Sequence, residues 1–496
     1  MKPIYKRLIK GCILSAFSVF FIHPVHALTN DIVTPEQFGA NGTDKIADTK
    51  ALQQAFNAST RVVLKENATY YTDKPLTVDH SISITTTGGK ANIVKTTLKT
   101  GENAFHFVNE ETTHTIMYQT AKEGQNFLVV SRTAGMKVGD LVHLKSSRLW
   151  TWDNRGYLSK GELLRINKIV GNTLYFETPL QDSYYTSGEK VDVTSFSDKK
   201  ITINNVSFSY PQPFNANKEL VRIDMTTNSS LQGIEVKNST YLGLLLDRTY
   251  KTKIKDAYVN LNTTPDIKTG YGIQDYGGLY TNITNSYFTN VRRGVDFSGT
   301  TPSRFGYVGY STAVGSVKNT LNIGNSGFGT HSTAENIIFE YNKVSNFDYS
   351  FVSRGNYITV RNNEATGDVL GFVVARHGDH LAVYNNTFAK GKAEHFIVLM
   401  NPFNGTVKVR NNYMSILSGD FLFNTSSNVR DLHLEKNRVY VSKEGSAYAY
   451  LIRSWVPLAL KNSTLTENQL NMINGQKSFV RNIDVSSKTN MVDYSY

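Results

Sequence analysis

The chain of 496 residues is predicted to fold as an all-β, single-stranded parallel β-helix, a solenoid with an N-terminal capping helix and a small inserted β-domain. The first observation behind this is a phrase that returns five times between Asn336 and Val439: NIIFEYNKV, YITVRNNEA, HLAVYNNTF, TVKVRNNYM and DLHLEKNRV. Aligned, these place asparagine at Asn342, Asn363, Asn386, Asn412 and Asn437, spaced by 21, 23, 26 and 25 residues. Self-similarity at such a period marks stacked coils, one per repeat. The second observation is alternation: Ile358 and Val360, or Val407 and Val409, recur every second residue, which is the period of a strand. Antiparallel hairpins carrying Asn-Asn turns are the competing reading. Asparagine suits the corner of a coil because it tolerates left-handed dihedrals, and its amide can bond nearby backbone or the asparagine one coil away.

Residues 1–27 read as a secretory signal peptide. Lys2, Lys6, Arg7 and Lys10 precede an apolar run from Gly11 to Ile22, and Val25-His26-Ala27 forms a small-residue cleavage site. The single cysteine, Cys12, stands at the start of that run, where a lipobox would place it at the end. The mature chain is therefore expected to begin near Leu28, secreted or periplasmic, without cysteine. Its stability must come from a core, which each coil of a solenoid buries against two neighbours. The apolar run is too short for a permanent membrane span, and no other segment reaches that length. Of the formal charge of +12, four positive charges fall in the leader, leaving +8 spread along the chain. Charge alone would admit nucleic acid as a partner. Export, together with 28 tyrosines and 26 phenylalanines, favours an acidic polysaccharide instead, although more than half of these rings are assigned to the core.

Residues 28–108 are expected to hold the cap and the first coils. In TPEQFGANGTDKIADTKALQQAFNAS, Asp48 is a suitable N-cap, and Leu52, Ala55 and Phe56 share one face of the helix that follows. Such a helix can cover the open end of the first coil and hide strand edges. Phe38-Gly39-Ala40 and Asp48-Thr49-Lys50-Ala51-Leu52 resemble the opening of β-helices of the pectate-lyase superfamily and phage tailspikes, with a shorter turn at Asn41 to Lys45. That resemblance implies a right-handed winding and glycan activity. Arg61 to Tyr71 reads as the first coil strand and turn.

Between 109 and 196 the coil rhythm gives way to short strands joined by glycine turns, as in KVGDLVHLKSS and KGELLRINKIVGNTLYF, which predicts the inserted β-domain. Its LWTWDNRGY segment carries Trp150, Trp152 and Tyr157, which could stack a saccharide or pin the insertion to the coils. Residues 197–475 are expected to form the main β-helix, with phrases at Ile201–Phe208, Gly233–Tyr241, Lys253–Val259 and Tyr280–Phe288, and 476–496 a C-terminal tail.

A further strand follows each asparagine corner, and its endings run Asp247, Asp275, Asp296, Arg354, Arg376 and Arg453. Equivalent positions of a parallel solenoid lie one strand spacing apart, so Asp275 and Asp296 are expected to be neighbours, with Arg354 and Arg376 beyond them. A register error of one residue would turn a side chain inward. The Gly/Ser/Thr-rich stretch from Ser298 to Ala334 reads as a loop leaving the coil and returning at His331; such loops are commonly functional. The Arg292-to-Ser298 segment with this Gly-Thr-His turn resembles glycan-active tailspike-like β-helices.

Two chemistries fit these residues. In hydrolysis, Asp275 and Asp296 would serve as acid and base or nucleophile, with Asp247 in reserve. In β-elimination on a uronic acid, Arg354 and Arg376 would bind the carboxylate, and His331, His377 or Arg293 would take the proton. Against these stand aspartates that bond local turns and arginines paired with Asp275, Asp296 or Asp368. His377 and His380 have metal-ligand spacing without a second cluster, so no metal or cofactor is expected. The reading is an exported polysaccharide-degrading enzyme, hydrolase or lyase; its rival is a non-catalytic glycan-binding or adhesive surface protein. A tailspike is the third reading, set against the signal peptide. Whether the chain is a monomer or a trimer is left open.

Overall fold

The computed structural model describes residues 28–150, 158–263, 269–315, 324–367, 369–389, 393–400, 403–416, 419–441, 448–460, 462–472 and 476–485. Residues 1–27, expected to be a signal peptide, and Trp152, Tyr157 and Asp368 lie outside the described residues. The chain winds a right-handed parallel β-helix of three long sheets, with fourteen, thirteen and thirteen strands among the described residues. Each coil contributes one strand to each sheet in turn. In the coil of the second repeat these are Ile358–Arg361, Glu364–Thr366 and Val369–Gly378. No helix of the described residues is long and apolar enough to cross a membrane.

The helix Thr49–Ala58 closes the first coil through Leu52, Ala55 and Phe56, all fully buried. Asp48 stands at its N-cap but does not cap it. Its carboxylate accepts from the Asn41 backbone instead, at 2.7 Å, tying down the preceding turn. Between the second and third coils the chain leaves to build a six-stranded antiparallel sheet with its own core, Leu128, Val142, Leu164 and Val193 among its members. The coil closes across this excursion as though it were absent: Ile201 pairs with Ile82, Val206 with Ala91 and Val221 with Phe105. Leu141, Leu163 and Phe196 of the inserted sheet pack on Met225, Tyr250 and Leu279 of the coils. Arg304, 1% exposed, locks the junction through Asp182, Glu335 and the Gly161 carbonyl.

The repeated asparagines stand at the corner between the first and second sheets and form a buried ladder. Nδ2 of Asn342, Asn363, Asn386, Asn412 and Asn437 each donates to Oδ1 of the asparagine one coil on, at 2.8–3.1 Å, ending at Asn468. Each acceptor Oδ1 also takes the backbone N–H of the residue below it. The left-handed backbone falls one residue earlier, at Tyr341, Asn362, Asn385, Asn411, Lys436 and Glu467. The ladder is thus selected for its hydrogen bonds, not for a left-handed backbone. Ser311 and Ser286 continue the column downward with hydroxyls in place of amides.

Three expectations need correction. The Gly233–Tyr241 phrase is a strand of the second sheet; Ser230–Gln232 is its first-sheet partner, and Gly233 makes the corner at φ 62°. The described residues between Ser298 and Ala334 do not leave the coil: they supply Tyr307–Gly309, Thr312–Val314 and Ser326–Thr330 to the three sheets, short strands disguised by glycine and serine, while 316–323 lie outside the described residues. Finally, Asp275 and Asp296 are offset by one residue. Gln274 pairs with Asp296, and Asp275 with Phe297, so the two carboxylates face opposite sides of the third sheet.

Asp275 faces the interior, fully buried, where it accepts from the Gly278 backbone at 3.0 Å and from the hydroxyls of Thr281 and Ser303. Burial pushes its carboxyl up to about 6 despite these donors. Further along the solenoid the core is apolar; Phe372, Phe396 and Phe421 stack face to face at 4.7 and 5.0 Å from coil to coil.

Replacing Asn386 by Ala strands the Asn363 N–H and the Val360 carbonyl that it now satisfies, both in the interior. The expected loss is roughly 2–4 kcal/mol in denaturant unfolding, whereas Asn385→Gly, at an exposed φ of 58°, should cost little. Equal losses would contradict the ladder. For Asp275, the folded chain holds the proton more tightly than the unfolded chain. Its contribution therefore favours folding at low pH and is lost as pH rises from about 4 through about 6. The difference in unfolding free energy between wild type and Asp275→Asn should shift by on the order of 3 kcal/mol between pH 4 and pH 7, and a flat difference would show that the carboxyl is not buried.

Candidate functional site

The outer face of the third sheet collects the polar groups the core cannot hold. Registry places three outward columns side by side. The first runs Tyr271, Arg293, Ser326, Tyr349, Gly371, His395, Asp420 and Tyr450. The next runs Gln274, Asp296, Gly329, Val352, Val374, Val398, Phe423 and Arg453. The third carries Ser298, with His331, Arg354 and Arg376 on the coils that follow.

Asp296 is the centre of the polar end. It is fully buried yet fully bonded: His331 Nδ1 lies 2.9 Å from both carboxylate oxygens, Gln274 Nε2 donates at 3.1 Å, and the Arg293 guanidinium pairs with Oδ1. Gly329 makes this approach feasible, because a Cβ there would meet Arg293 Nε at 3.2 Å and Val352 Cβ at 2.9 Å. Burial alone would raise the Asp296 carboxyl, but the neighbouring His331 and Arg293 and their hydrogen bonds hold it well below the usual carboxylate range. Burial, reinforced by Arg354 and Arg293, pushes His331 below an ordinary imidazole despite the pull of Asp296. An ionised carboxylate only accepts, so the imidazole proton sits on Nδ1 and Nε2 keeps its lone pair. The side chain retains 26% exposure, so the imidazole is not sealed inside the sheet.

Around this dyad, Tyr271 presents its ring edge to His331 at a centroid distance of 6.0 Å. Arg292 Nη1 donates to the Tyr271 hydroxyl at 3.0 Å, which leaves the phenolic proton for another acceptor. Arg293 also holds Ser326 Oγ through Nε at 3.0 Å. Arg293, read from the sequence as an alternative base, is instead an ion-paired donor with no lone pair to offer. Arg354 bears electrostatically on His331, and its backbone N–H is fixed to Thr330 Oγ1 at 2.8 Å. Arg376 is half-buried one coil beyond. His377 occupies a bulge between Arg376 and Gly378, at φ 53°, which offsets it from the His331 column.

The structure thus brings together Asp296, His331, Arg293 and Arg354, and separates Asp275 from them. Asp247 is also committed, to Arg222 at 2.6 Å and Arg248 at 2.8 Å. Tyr271, Gln274 and Arg292 escaped the sequence reading; the signal for Gln274 was available, since it directly precedes Asp275 and only a one-residue shift brings it opposite Asp296. His380 stacks on Tyr357 at 4.4 Å, where both line a cleft of the first sheet, so the His377/His380 spacing does not describe a shared site. Among the described residues no group of three or more His, Cys, Asp or Glu side chains is arranged to hold a metal.

The inserted sheet stands at the edge of this face. Ser159 N–H donates to the Thr300 carbonyl at 2.7 Å, and His143 Nε2 meets Thr301 Oγ1 at 2.9 Å, two and three residues beyond Ser298. Burial, with help from Arg248, pushes His143 down to about 3, so it serves as a neutral dock. Trp150 is partly buried just after the strand Leu141–Leu149, and its backbone N–H donates to the Leu158 carbonyl at 3.1 Å.

No protein-family model matches the chain, and no curated protein matches it. Solved structures do. The chain is similar to the tailspike gp61 of Pseudomonas phage phi297, with a TM-score of 0.69 at 15% identity over 88% of this chain and 80% of that one. It is similar to the gp54 tailspike of Acinetobacter baumannii bacteriophage AP22, solved with a capsular saccharide, with a TM-score of 0.67 at 15% identity over 89% and 75%. A Streptococcus pneumoniae surface adhesin, PfbA, matches with a TM-score of 0.51 at 9% identity over 85% of this chain and all of that one. At these identities the likeness establishes a shared fold.

Proposed function

We propose that this chain is an exported polysaccharide lyase that cleaves an acidic extracellular or capsular glycan, with His331 as the base. The observation that carries the reading is the His331 dyad: a buried, ionised Asp296 orients a neutral imidazole whose Nε2 opens onto a face flanked by arginines. Arg354 and Arg376 would neutralise the uronate carboxylate and so acidify the adjacent C–H. His331 Nε2 takes the C5 proton, and that electron pair forms the C4–C5 double bond. The C4–O bond breaks, and the leaving oxygen takes the proton of Tyr271. The likeness to a tailspike solved with a capsular saccharide supports a glycan as the ligand.

Elimination is favoured over hydrolysis because hydrolysis needs two accessible carboxylates. Asp275 is inside the solenoid, and Asp296 is fully buried and already paired. The adhesin-like fold supports a second reading, in which the same face binds a glycan without cleaving it. Residues 1–27 carry the export part of the proposal.

The test is incubation of the mature protein with a panel of acidic bacterial exopolysaccharides, following reducing ends and the ultraviolet absorbance of an unsaturated product. Both should rise together. Reducing ends without absorbance would replace elimination by hydrolysis, and tight binding without either would favour the adhesive reading. His331→Ala should lower kcat about 10²–10⁴-fold, the usual contribution of a general base. Activity should rise with pH through a transition below the ordinary imidazole value of about 6.5, because His331 must be neutral to act and its pKa is lowered.

A further inference from the structure

The face that carries His331 does not end there. Past Gly329 the Asp296 column becomes apolar: Val352, Val374, Val398 and Phe423 form a continuous row on the outer side of the third sheet, packed against one another and against Tyr349 and Met400 so that each keeps only 5–7% exposure. These side chains form a small apolar cluster separate from the main core, on the side of the sheet that also carries His331. At the end of the strip a second cluster uses the residue types of the first in a different way. Asp420, fully buried, stands 3.2 Å from His395 Nδ1 and 2.8 Å from Arg453 Nη2. Here the imidazole is covered, stacked on Phe423 at 4.6 Å, so it cannot act as His331 does. The Arg453 guanidinium lies over the same Phe423 ring at 4.6 Å, and Trp455 meets that ring edge-on at 5.0 Å. Trp455 is 68% exposed, an indole seated on Phe423 and open to solvent.

We infer that Trp455 is a distal saccharide-stacking subsite, and that the ligand is a long glycan chain lying lengthwise along the solenoid axis, from His331 over the valine strip to Trp455. The inference rests on the glycan reading above and extends it to the binding mode and the length of the ligand. A sugar ring presents one apolar C–H face and polar edges, which suits an exposed indole that shares the Phe423 ring with the Arg453 guanidinium. His395 and Asp420 are positioning residues that hold Phe423 and Arg453 under the indole. Five coil steps separate Asp296 from Phe423, so the chain must reach about 24 Å at roughly 4.8 Å per step. A disaccharide cannot span this, and a decasaccharide can.

The experiment uses size-fractionated fragments of whichever acidic polysaccharide the mature protein retains, with affinities measured in the His331→Ala background so that nothing is cleaved. The parent should bind decasaccharides at least ten-fold more tightly than disaccharides, and the added Trp455→Ala should remove about ten-fold of that preference. Trp455→Phe, which keeps an aromatic platform, should retain most of it, and thermal unfolding of both variants checks the fold. A length preference identical in the parent and both Trp455 variants overturns this inference and leaves the His331 reading standing. Retention of no glycan of any length removes both.

Discussion

Everything in this molecule depends on in-register parallel stacking. Once one coil is laid on another at a single strand spacing, every residue must be compatible with the residue directly above and below it. The asparagine ladder is the plainest expression of this constraint. Each amide satisfies the backbone of the coil before it and the side chain of the next, so a buried polar column becomes self-consistent only when the repeat continues. The stacked phenylalanines at 4.7 and 5.0 Å do the same with apolar rings. Such columns explain how the described coils, none of which contains a cysteine, can be held together.

The same stacking generates the candidate site. Asp296, His331 and Arg354 come from three successive coils and meet because the third sheet presents equivalent positions as a column. Burying Asp296 would be costly alone; Arg293, Gln274 and His331 together satisfy it, and their convergence fixes the imidazole. Asp275 shows the other outcome. With three neutral donors and no cation beside it, a buried carboxyl is held toward its protonated form and belongs to the scaffold.

Much of the fold was legible in the sequence because repetition leaves a trace. The returning phrases gave the coil period, and the loss of that period between 109 and 196 announced the inserted sheet. Where the trace was weak the reading failed. The described strands between Ser298 and Ala334 are short and set among glycine, serine and threonine, a composition that suggests a loop; pairing with the coils on either side holds them extended. The site was legible in part. His331, Asp296, Arg293 and Arg354 were identifiable by residue type and rough column, but their roles were not. The pairing of Asp275 with Asp296 failed on a single residue of register.

Sequence alone therefore determined the period, the strand character and the residue types available to each coil, because these are local properties repeated along the chain. Tertiary structure decided which side each residue faces and which atoms meet, because strand side chains alternate and one step of register exchanges core for surface. That step placed Asp275 inside and Gln274 beside Asp296, and it lined up the valines that lead to Trp455.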